Sequence, residues 1–147
     1  MVYQNTSNPA LVKSYQTYQV MREIILHFAD QFAQGITANS FRVAKKYSRI
    51  ITCGMGGSAI AVEILSMVSD NIVVHWNYDL PTNIGGDDLV VCTSWSGGTE
   101  ETISSYKKAL ALGLDVVAIT KGGELAKVAG QANQPLVLLP QENIQPR

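Results

Sequence analysis

The sequence has almost no net charge, few cysteines and histidines, and no long apolar run. Lysine and arginine number 11 against 12 aspartate and glutamate, which leaves a formal net charge of -1. This balance gives no electrostatic reason to expect nucleic acid or an anionic membrane surface as a partner. The uninterrupted apolar runs are far shorter than the ~20 residues that a membrane span requires. We therefore expect binding to neither nucleic acid nor membrane.

The amino terminus and the two cysteines indicate the compartment. Residues 1–5 hold no basic region followed by an apolar core, so we expect no signal peptide. Cys53 and Cys92 both fall in apolar, strand-like runs. We expect two buried free thiols, with a disulfide as the less favoured alternative. Two cysteines alone cannot form a structural zinc site. These features predict a cytoplasmic protein without a metal or an organic cofactor.

Strand-like and helical patterns alternate through residues 49–140. Near-continuous Val, Ile and Leu runs of this kind indicate a parallel sheet with helices on both faces. We predict an α/β fold, a doubly wound five-stranded parallel sheet in three αβα layers, flavodoxin-like. Residues 1–35 contain a helix from Pro9 to about Gln34, and residues 141–147 form a tail. The whole chain, 1–147, is predicted to be one domain. The five runs begin near Arg49, Asn71, Leu89, Asp115 and Pro135.

The most informative stretch is Thr93–Glu101, which joins a buried strand to a helix. The first N–H groups of a helix lack intrahelical partners, and the helix dipole is positive there, so such a junction attracts anions. The hydroxyls of Ser94, Ser96 and Thr99 can donate hydrogen bonds to phosphate oxygens. A simpler interpretation competes equally for this one loop: Thr99 as an ordinary N-cap after a glycine turn. We expect Trp95 to pack beside the loop instead of stacking on a ligand.

A second glycine-rich loop, Gly54–Ala59, follows the first predicted strand. In the strand order 2-1-3-4-5, the first and third strands are neighbours, so the two loops would face one crevice at the switch point. The pattern Gly54-x-Gly56-x-x-Ala59 also matches the dinucleotide fingerprint, and a dinucleotide-binding domain is the rival hypothesis. That site requires an acidic residue beyond the second strand, and Asp79 is the candidate. A Walker-type loop is excluded, because no Gly-Lys-Ser/Thr occurs.

These two loops together resemble those of sugar isomerase (SIS) domains. The chain is similar more narrowly to the amino-terminal half of the bifunctional phosphoglucose/phosphomannose isomerases, which carry a Gly-Met-Gly-Gly-Ser-Ala loop and a Ser-x-Ser-Gly-Asn-Thr loop. Their first half also ends in Gln-Pro-Arg, as residues 145–147 do here. The resemblance covers nearly all of this chain but only about half of such an enzyme. It implies interconversion of glucose 6-phosphate or mannose 6-phosphate with fructose 6-phosphate.

The resemblance also assigns roles to individual residues. It implies that the sugar phosphate is held by Ser94, Ser96 and Thr99, and that the sugar lies along Gly56, Gly57 and Ser58. It implies a catalytic role for Arg147, near the reacting carbons, where a cation stabilises an enediolate. A solvated terminal residue is the alternative for Arg147. One departure is Gly98, where the family usually has Asn, so one side-chain contact is lost.

Aldose–ketose isomerisation needs a general base and an acid that this chain does not supply. The resemblance implies that these groups come from the second half of such enzymes. Glu100 and Glu101 suit the helix dipole and would be poor bases. We therefore expect the chain to bind a sugar phosphate and to be nearly inert alone. Its expected partner is a second SIS domain or a second copy, with the apolar stripe of the first helix as the seam. A stand-alone phosphosugar-sensing regulatory domain is the other alternative.

Overall fold

The computed structural model describes residues 9–27 and 45–139 of the 147-residue chain. Helix α1 is Pro9–Leu26 and lies in one compact unit, and the elements from residue 49 onward lie in another. The predicted continuation of α1 to residue 34 and the tail at 141–147 fall outside the described residues. Tyr18 and Ile25 of the predicted apolar stripe are exposed. In the described ranges, no helix is both long and apolar enough to cross a bilayer. The assignment of residues 1–147 to one domain stays a prediction.

The second unit is built on a five-stranded parallel sheet. The strands are β1 Arg49–Gly54, β2 Ile72–His75, β3 Asp88–Ser94, β4 Asp115–Thr120 and β5 Leu136–Leu138, and the helices are α2 Gly57–Ser66, α3 Glu100–Ala111 and α4 Gly123–Gln131. The strand order is β2-β1-β3-β4-β5. This order confirms the predicted α/β fold and the position of the switch point between the first and third strands. Helix α2 packs on β1 and β2, whereas α3 and α4 pack on each other and on the strands from β1 to β5, which is the arrangement that right-handed crossovers in opposite directions produce.

The core lies between the sheet and the face covered by α3 and α4. Alternate residues of the three central strands point to this face, because successive side chains of a strand alternate. Cys53 and Cys92 are register partners on β1 and β3, and both are buried free thiols, as expected. The hydrogen bond with Cys53 and burial raise the pKa of the Cys92 thiol. The buried core residues are Ile51, Cys53, Val90, Cys92, Tyr106, Ala109, Val116, Ala118, Leu125 and Ala129.

Ion pairs join the strands at the amino edge of the sheet, opposite the predicted site. The Arg49 guanidinium donates to both carboxylate oxygens of Asp88, at 2.9 and 2.8 Å. These residues are register partners at the start of β1 and β3. Lys45 donates to the Asp115 carboxylate at 2.9 Å. Arg49 and Lys45 thus pair with carboxylates at the starts of strands, and the glycine-rich loops lie at the opposite, carboxyl edge.

Candidate functional site

Ser94 anchors the loop between β3 and α3. Its side chain is 1% exposed, and its Oγ lies 2.8 Å from the Thr99 Oγ1. The Gly97 N–H donates to the same Ser94 oxygen at 3.1 Å. The loop therefore closes on a buried hydroxyl and holds Thr99 beside Ser94. Two of the three predicted phosphate ligands are in direct contact.

Thr99 occupies the N-cap position of α3, but its side chain makes no capping hydrogen bond. Its hydroxyl is directed to Ser94 instead. Thr99 is thus the N-cap residue by position, as the simpler interpretation predicted, but its side chain does not cap the helix. The glycine turn of that interpretation is present, since the Gly97 N–H also reaches the Ser94 carbonyl at 3.2 Å. Without a capping oxygen, the amides of the first turn of α3 retain their capacity to bind an anion.

Ser96 lies at the exposed tip of the loop. Its Oγ accepts a hydrogen bond from the Gly98 N–H at 3.2 Å. That contact uses a lone pair and leaves the hydroxyl hydrogen able to donate. Gly98 is exposed, and a Cβ added there would meet only the Ser96 Oγ, at 3.8 Å. The backbone at Gly98 therefore has room for the Cβ of the family's Asn.

The turn after β4 holds this loop in place, and sequence reasoning did not include that turn in the site. The Lys121 N–H donates to the Trp95 carbonyl at 3.1 Å, and the Leu125 N–H donates to the Gly97 carbonyl at 2.9 Å. Gly97 has φ +68°, and a Cβ there would overlap the Gly122 carbonyl. The signal available in the sequence was Gly122-Gly123 directly after a buried strand.

Trp95 is half-buried and packs beside the loop. The Lys121 Nζ lies 5.8 Å from the centroid of its ring, a cation–π distance. The contact supports the expected packing role of Trp95. It also places a positive charge next to the loop that carries Ser94 and Ser96.

The first loop begins α2 at the end of β1. Gly56 occupies the N-cap position of α2 and has φ +54°. A residue with a side chain adopts this backbone conformation only under strain. Gly56 and Gly57 are exposed and Ser58 is half-buried. A Cβ added to Gly54 would lie 2.9 Å from the Thr93 carbonyl of β3 and 3.5 Å from the Ser58 Cβ. The two loops therefore leave neighbouring strands at one edge of the sheet.

The carboxylates of the first turn of α3 lie toward the connection after β2. The Tyr78 hydroxyl donates to Glu100 at 3.2 Å. The charge of Glu101, followed by burial and the Glu100 contact, raises the pKa of Tyr78. The Asp79 N–H donates to the Ser104 Oγ on α3, so this residue fastens the connection to the helix.

A shallow groove of about 680 Å³ runs along this side of α3. Its lining includes Tyr78, Asp79 and Glu100 but not Ser58, Ser94, Ser96 or Thr99. A single cavity shared by the two loops stays a prediction. Arg147 lies outside the described residues. Among the residues that are described, no three His, Cys, Asp or Glu side chains come together as metal ligands.

Comparison with known proteins identifies relatives by sequence. The chain is 35% identical over 109 residues to a bifunctional phosphoglucose/phosphomannose isomerase of Caldicellulosiruptor bescii, covering 71% of this chain and 32% of the relative. It is 42% identical over 91 residues to the protein of that name from Thermoplasma volcanium, covering 60% and 30%. A D-glucosamine-6-phosphate 4-epimerase of Sulfolobus acidocaldarius is 30% identical over 112 residues, covering 76% and 37%. The chain thus spans about a third of the length of these curated relatives. No family model matches it.

Solved structures with the same fold are more distant in sequence. The Vibrio vulnificus NanR protein complexed with ManNAc-6P matches with a TM-score of 0.59 and 15% identity, covering 92% of this chain and 56% of that one. The tagatose-6-phosphate ketose/aldose isomerase from Escherichia coli matches with a TM-score of 0.53 and 21% identity, covering 88% and 40%. The sugar isomerase domain of an RpiR transcription factor from Sphaerobacter thermophilus gives 0.52 and 19%, covering 64% and 56%. The chain has the SIS fold and resembles the bifunctional isomerases in sequence.

Proposed function

We propose that this chain binds a sugar phosphate, as the amino-terminal SIS domain of an aldose–ketose isomerase acting on glucose 6-phosphate or mannose 6-phosphate. The observation that carries the proposal is the sequence identity of 35% with a phosphoglucose/phosphomannose isomerase. The identity to a D-glucosamine-6-phosphate 4-epimerase adds a relative with a different reaction but a ligand of the same class. A sugar phosphate is thus the ligand class that the names of these relatives share, and the preference for glucose 6-phosphate or mannose 6-phosphate is a more specific part of the proposal.

The phosphoryl group binds at the start of α3 in this proposal. Ser96 and Thr99 donate to its oxygens with the free amides of the first helical turn, and Ser94 holds Thr99 in place. The sugar extends over Gly56, Gly57 and Ser58, which lie at the same edge of the sheet on the neighbouring strand. The two glycines allow a ligand to approach the backbone closely.

A second SIS domain completes the site, supplied by further chain or by a second copy. The relatives are roughly twice as long as this chain, since the 109 matched residues are 32% of one relative and the 91 matched residues are 30% of another. Helix α2 carries apolar side chains that are more than half exposed, namely Ile60, Ile64 and Leu65. A surface of this kind is typical of an interface. In the complete enzyme, Arg147 and a base from the second domain act on the carbons next to the carbonyl.

The ligand class is tested by isothermal titration calorimetry of the chain with glucose 6-phosphate, mannose 6-phosphate and fructose 6-phosphate. We expect saturable binding of at least one of them, with no binding of glucose or NAD. Binding of NAD without any sugar phosphate would favour the dinucleotide hypothesis. Sedimentation velocity of the same sample tests the partner, since a second copy predicts a dimer. A monomer at all concentrations would exclude a second copy as the partner, and a second domain on the same polypeptide would be the remaining candidate.

In the regulatory alternative, the domain binds the same class of ligand but acts as a sensor instead of catalysing isomerisation. The fold neighbours include both an isomerase and a transcription factor, so the fold does not separate the two functions. The sequence relatives favour the isomerase.

We also propose a cytoplasmic location, because two buried thiols that remain free suit a reducing compartment.

A further inference from the structure

The turn after β4 places a cation beside the loop that we assign to the phosphate. The Lys121 backbone is fixed to this loop by its bond to the Trp95 carbonyl, and its side chain lies over the Trp95 ring. Lys121 is half-buried, and its Nζ lies 5.8 Å from the centroid of the Trp95 ring, which is part of the loop. The sequence pattern predicted hydroxyl and amide donors there, but no charged one.

The site needs this charge because the first turn of α3 carries two carboxylates. A phosphate monoester has a charge of about -1.5 to -2 at neutral pH, and Glu100 and Glu101 repel it. Both carboxylates lie toward Tyr78, which follows β2. Lys121 follows β4, and β2 and β4 lie on opposite sides of β3 in the sheet. The two carboxylates of α3 thus lie on the β2 side of the loop and Lys121 on its β4 side, where the nearby Glu124 is paired with Lys127 at 3.7 Å.

We propose that Lys121 balances the charge of the bound phosphoryl group and directs it to the β4 side, with the sugar toward the first loop. Lys121 is then an affinity and orientation residue for the ligand. This inference depends on the proposed function, because it refines the same site. Its cation–π partner, Trp95, keeps the ammonium in reach of the loop.

The test compares Lys121→Gln with Lys121→Arg and with the control Lys127→Gln. Lys127 is on α4, where its Nζ lies 3.7 Å from Glu124 and its side chain is 74% exposed. Calorimetry measures the affinity of each variant for glucose 6-phosphate and for inorganic phosphate. We expect Lys121→Gln to weaken both by about five- to tenfold, as one half-exposed charge near a dianion should. Lys121→Arg should retain affinity, and Lys127→Gln should match the wild-type chain.

A second ligand separates a charge effect from a change in loop shape. Glucose 6-sulfate carries one negative charge in place of nearly two. The loss of affinity in Lys121→Gln should be clearly smaller for the sulfate than for the phosphate, and it should shrink as salt is added. A distorted loop would weaken both ligands equally and at every salt concentration.

The outcomes distinguish this inference from the proposed function. If the wild-type chain binds no sugar phosphate, both are overturned. If it binds while Lys121→Gln stays within about twofold of it, only the role of Lys121 is overturned. Equal losses for sulfate and phosphate would also overturn that role. The expected selective loss supports both.

Discussion

At the scale of single residues, Ser94 and Ser96 do different work although they are two positions apart. Ser94 is buried and holds Thr99 and Gly97, whereas Ser96 is exposed at the tip of the loop. A buried hydroxyl with two partners contributes to stability, because its removal leaves those partners unsatisfied. An exposed one contributes chiefly through what it binds.

The two serines should therefore respond differently to alanine. We expect Ser94→Ala to lower the free energy of unfolding by about 1–2 kcal/mol and to weaken glucose 6-phosphate binding roughly tenfold. Ser96→Ala should leave stability within about 0.5 kcal/mol of the wild-type chain while also weakening binding several-fold. Urea denaturation and calorimetry measure the two quantities. Wild-type affinity in Ser96→Ala would speak against the phosphate assignment.

Gly97 is required by the backbone and not by the ligand. Its φ of +68° and its contact with the Gly122 carbonyl leave no room for a Cβ. We expect Gly97→Ala to lower the free energy of unfolding by about 2–4 kcal/mol. Gly98→Ala is the matched control, because its Cβ would meet nothing closer than 3.8 Å. Equal stability of the two variants in thermal unfolding would contradict the structure of this turn.

At the scale of elements, the two edges of the sheet are stabilised by different interactions. The amino edge is joined by ion pairs, of which Arg49–Asp88 is the more buried, with Asp88 4% exposed by side chain. The carboxyl edge is joined by backbone hydrogen bonds between turns, such as that from Leu125 to Gly97. The ion pairs of the amino edge are thus at the opposite end of the strands from a ligand at the carboxyl edge, which meets amides and hydroxyls.

The Arg49–Asp88 pair should make stability depend on acid pH. The hydrogen bond from Arg49 lowers the pKa of Asp88 below its ordinary value, against the opposing effect of burial. A carboxylate whose folded pKa is depressed stabilises the protein above the unfolded pKa of about 3.9, and this contribution is lost as the pH falls through the folded value. We expect Asp88→Asn to be less stable than the wild-type chain at neutral pH and the difference to narrow below about pH 4. Thermal unfolding across this range measures it, and a constant gap would refute the role of the ion pair.

At the scale of the whole molecule, the proposed isomerisation needs more groups than the described residues bring to the carboxyl edge of the sheet. In our proposal this edge supplies the donors for the phosphoryl group, and Glu100 of α3 accepts a hydrogen bond from Tyr78. The relatives are roughly twice as long as this chain, and we propose that the remaining groups lie in that additional length. The exposed apolar side chains of α2 are the surface at which we propose that this additional chain, or a second copy, packs.

The isolated chain should bind the substrate without converting it. We expect no turnover of fructose 6-phosphate above background in a coupled assay, because our proposal places the general base on the second domain, and the loss of such a group lowers the rate by at least ~10²-fold. The full-length isomerase of Caldicellulosiruptor bescii is a positive control under the same conditions. Turnover by the chain at enzyme-like rates would show that the base is present within it.

The alternation of apolar runs and glycine-rich loops was sufficient to predict a parallel sheet covered by helices, whereas the strand order 2-1-3-4-5 was supposed from the fold class and is the order that the structure has. The sheet and its covering helices depend on local patterns, since burial on both faces demands continuous apolar strands and a crossover demands a helix between them. The choice of Ser94, Ser96 and Thr99 as phosphate ligands also came from a local pattern, and it stays a prediction. The direction of the Thr99 hydroxyl, the support of Gly97 by the Gly122 turn and the position of Lys121 beside Trp95 were decided only by tertiary structure. Each joins residues more than 20 positions apart or selects between two local partners, and such choices depend on how neighbouring strands pack, which no local pattern records.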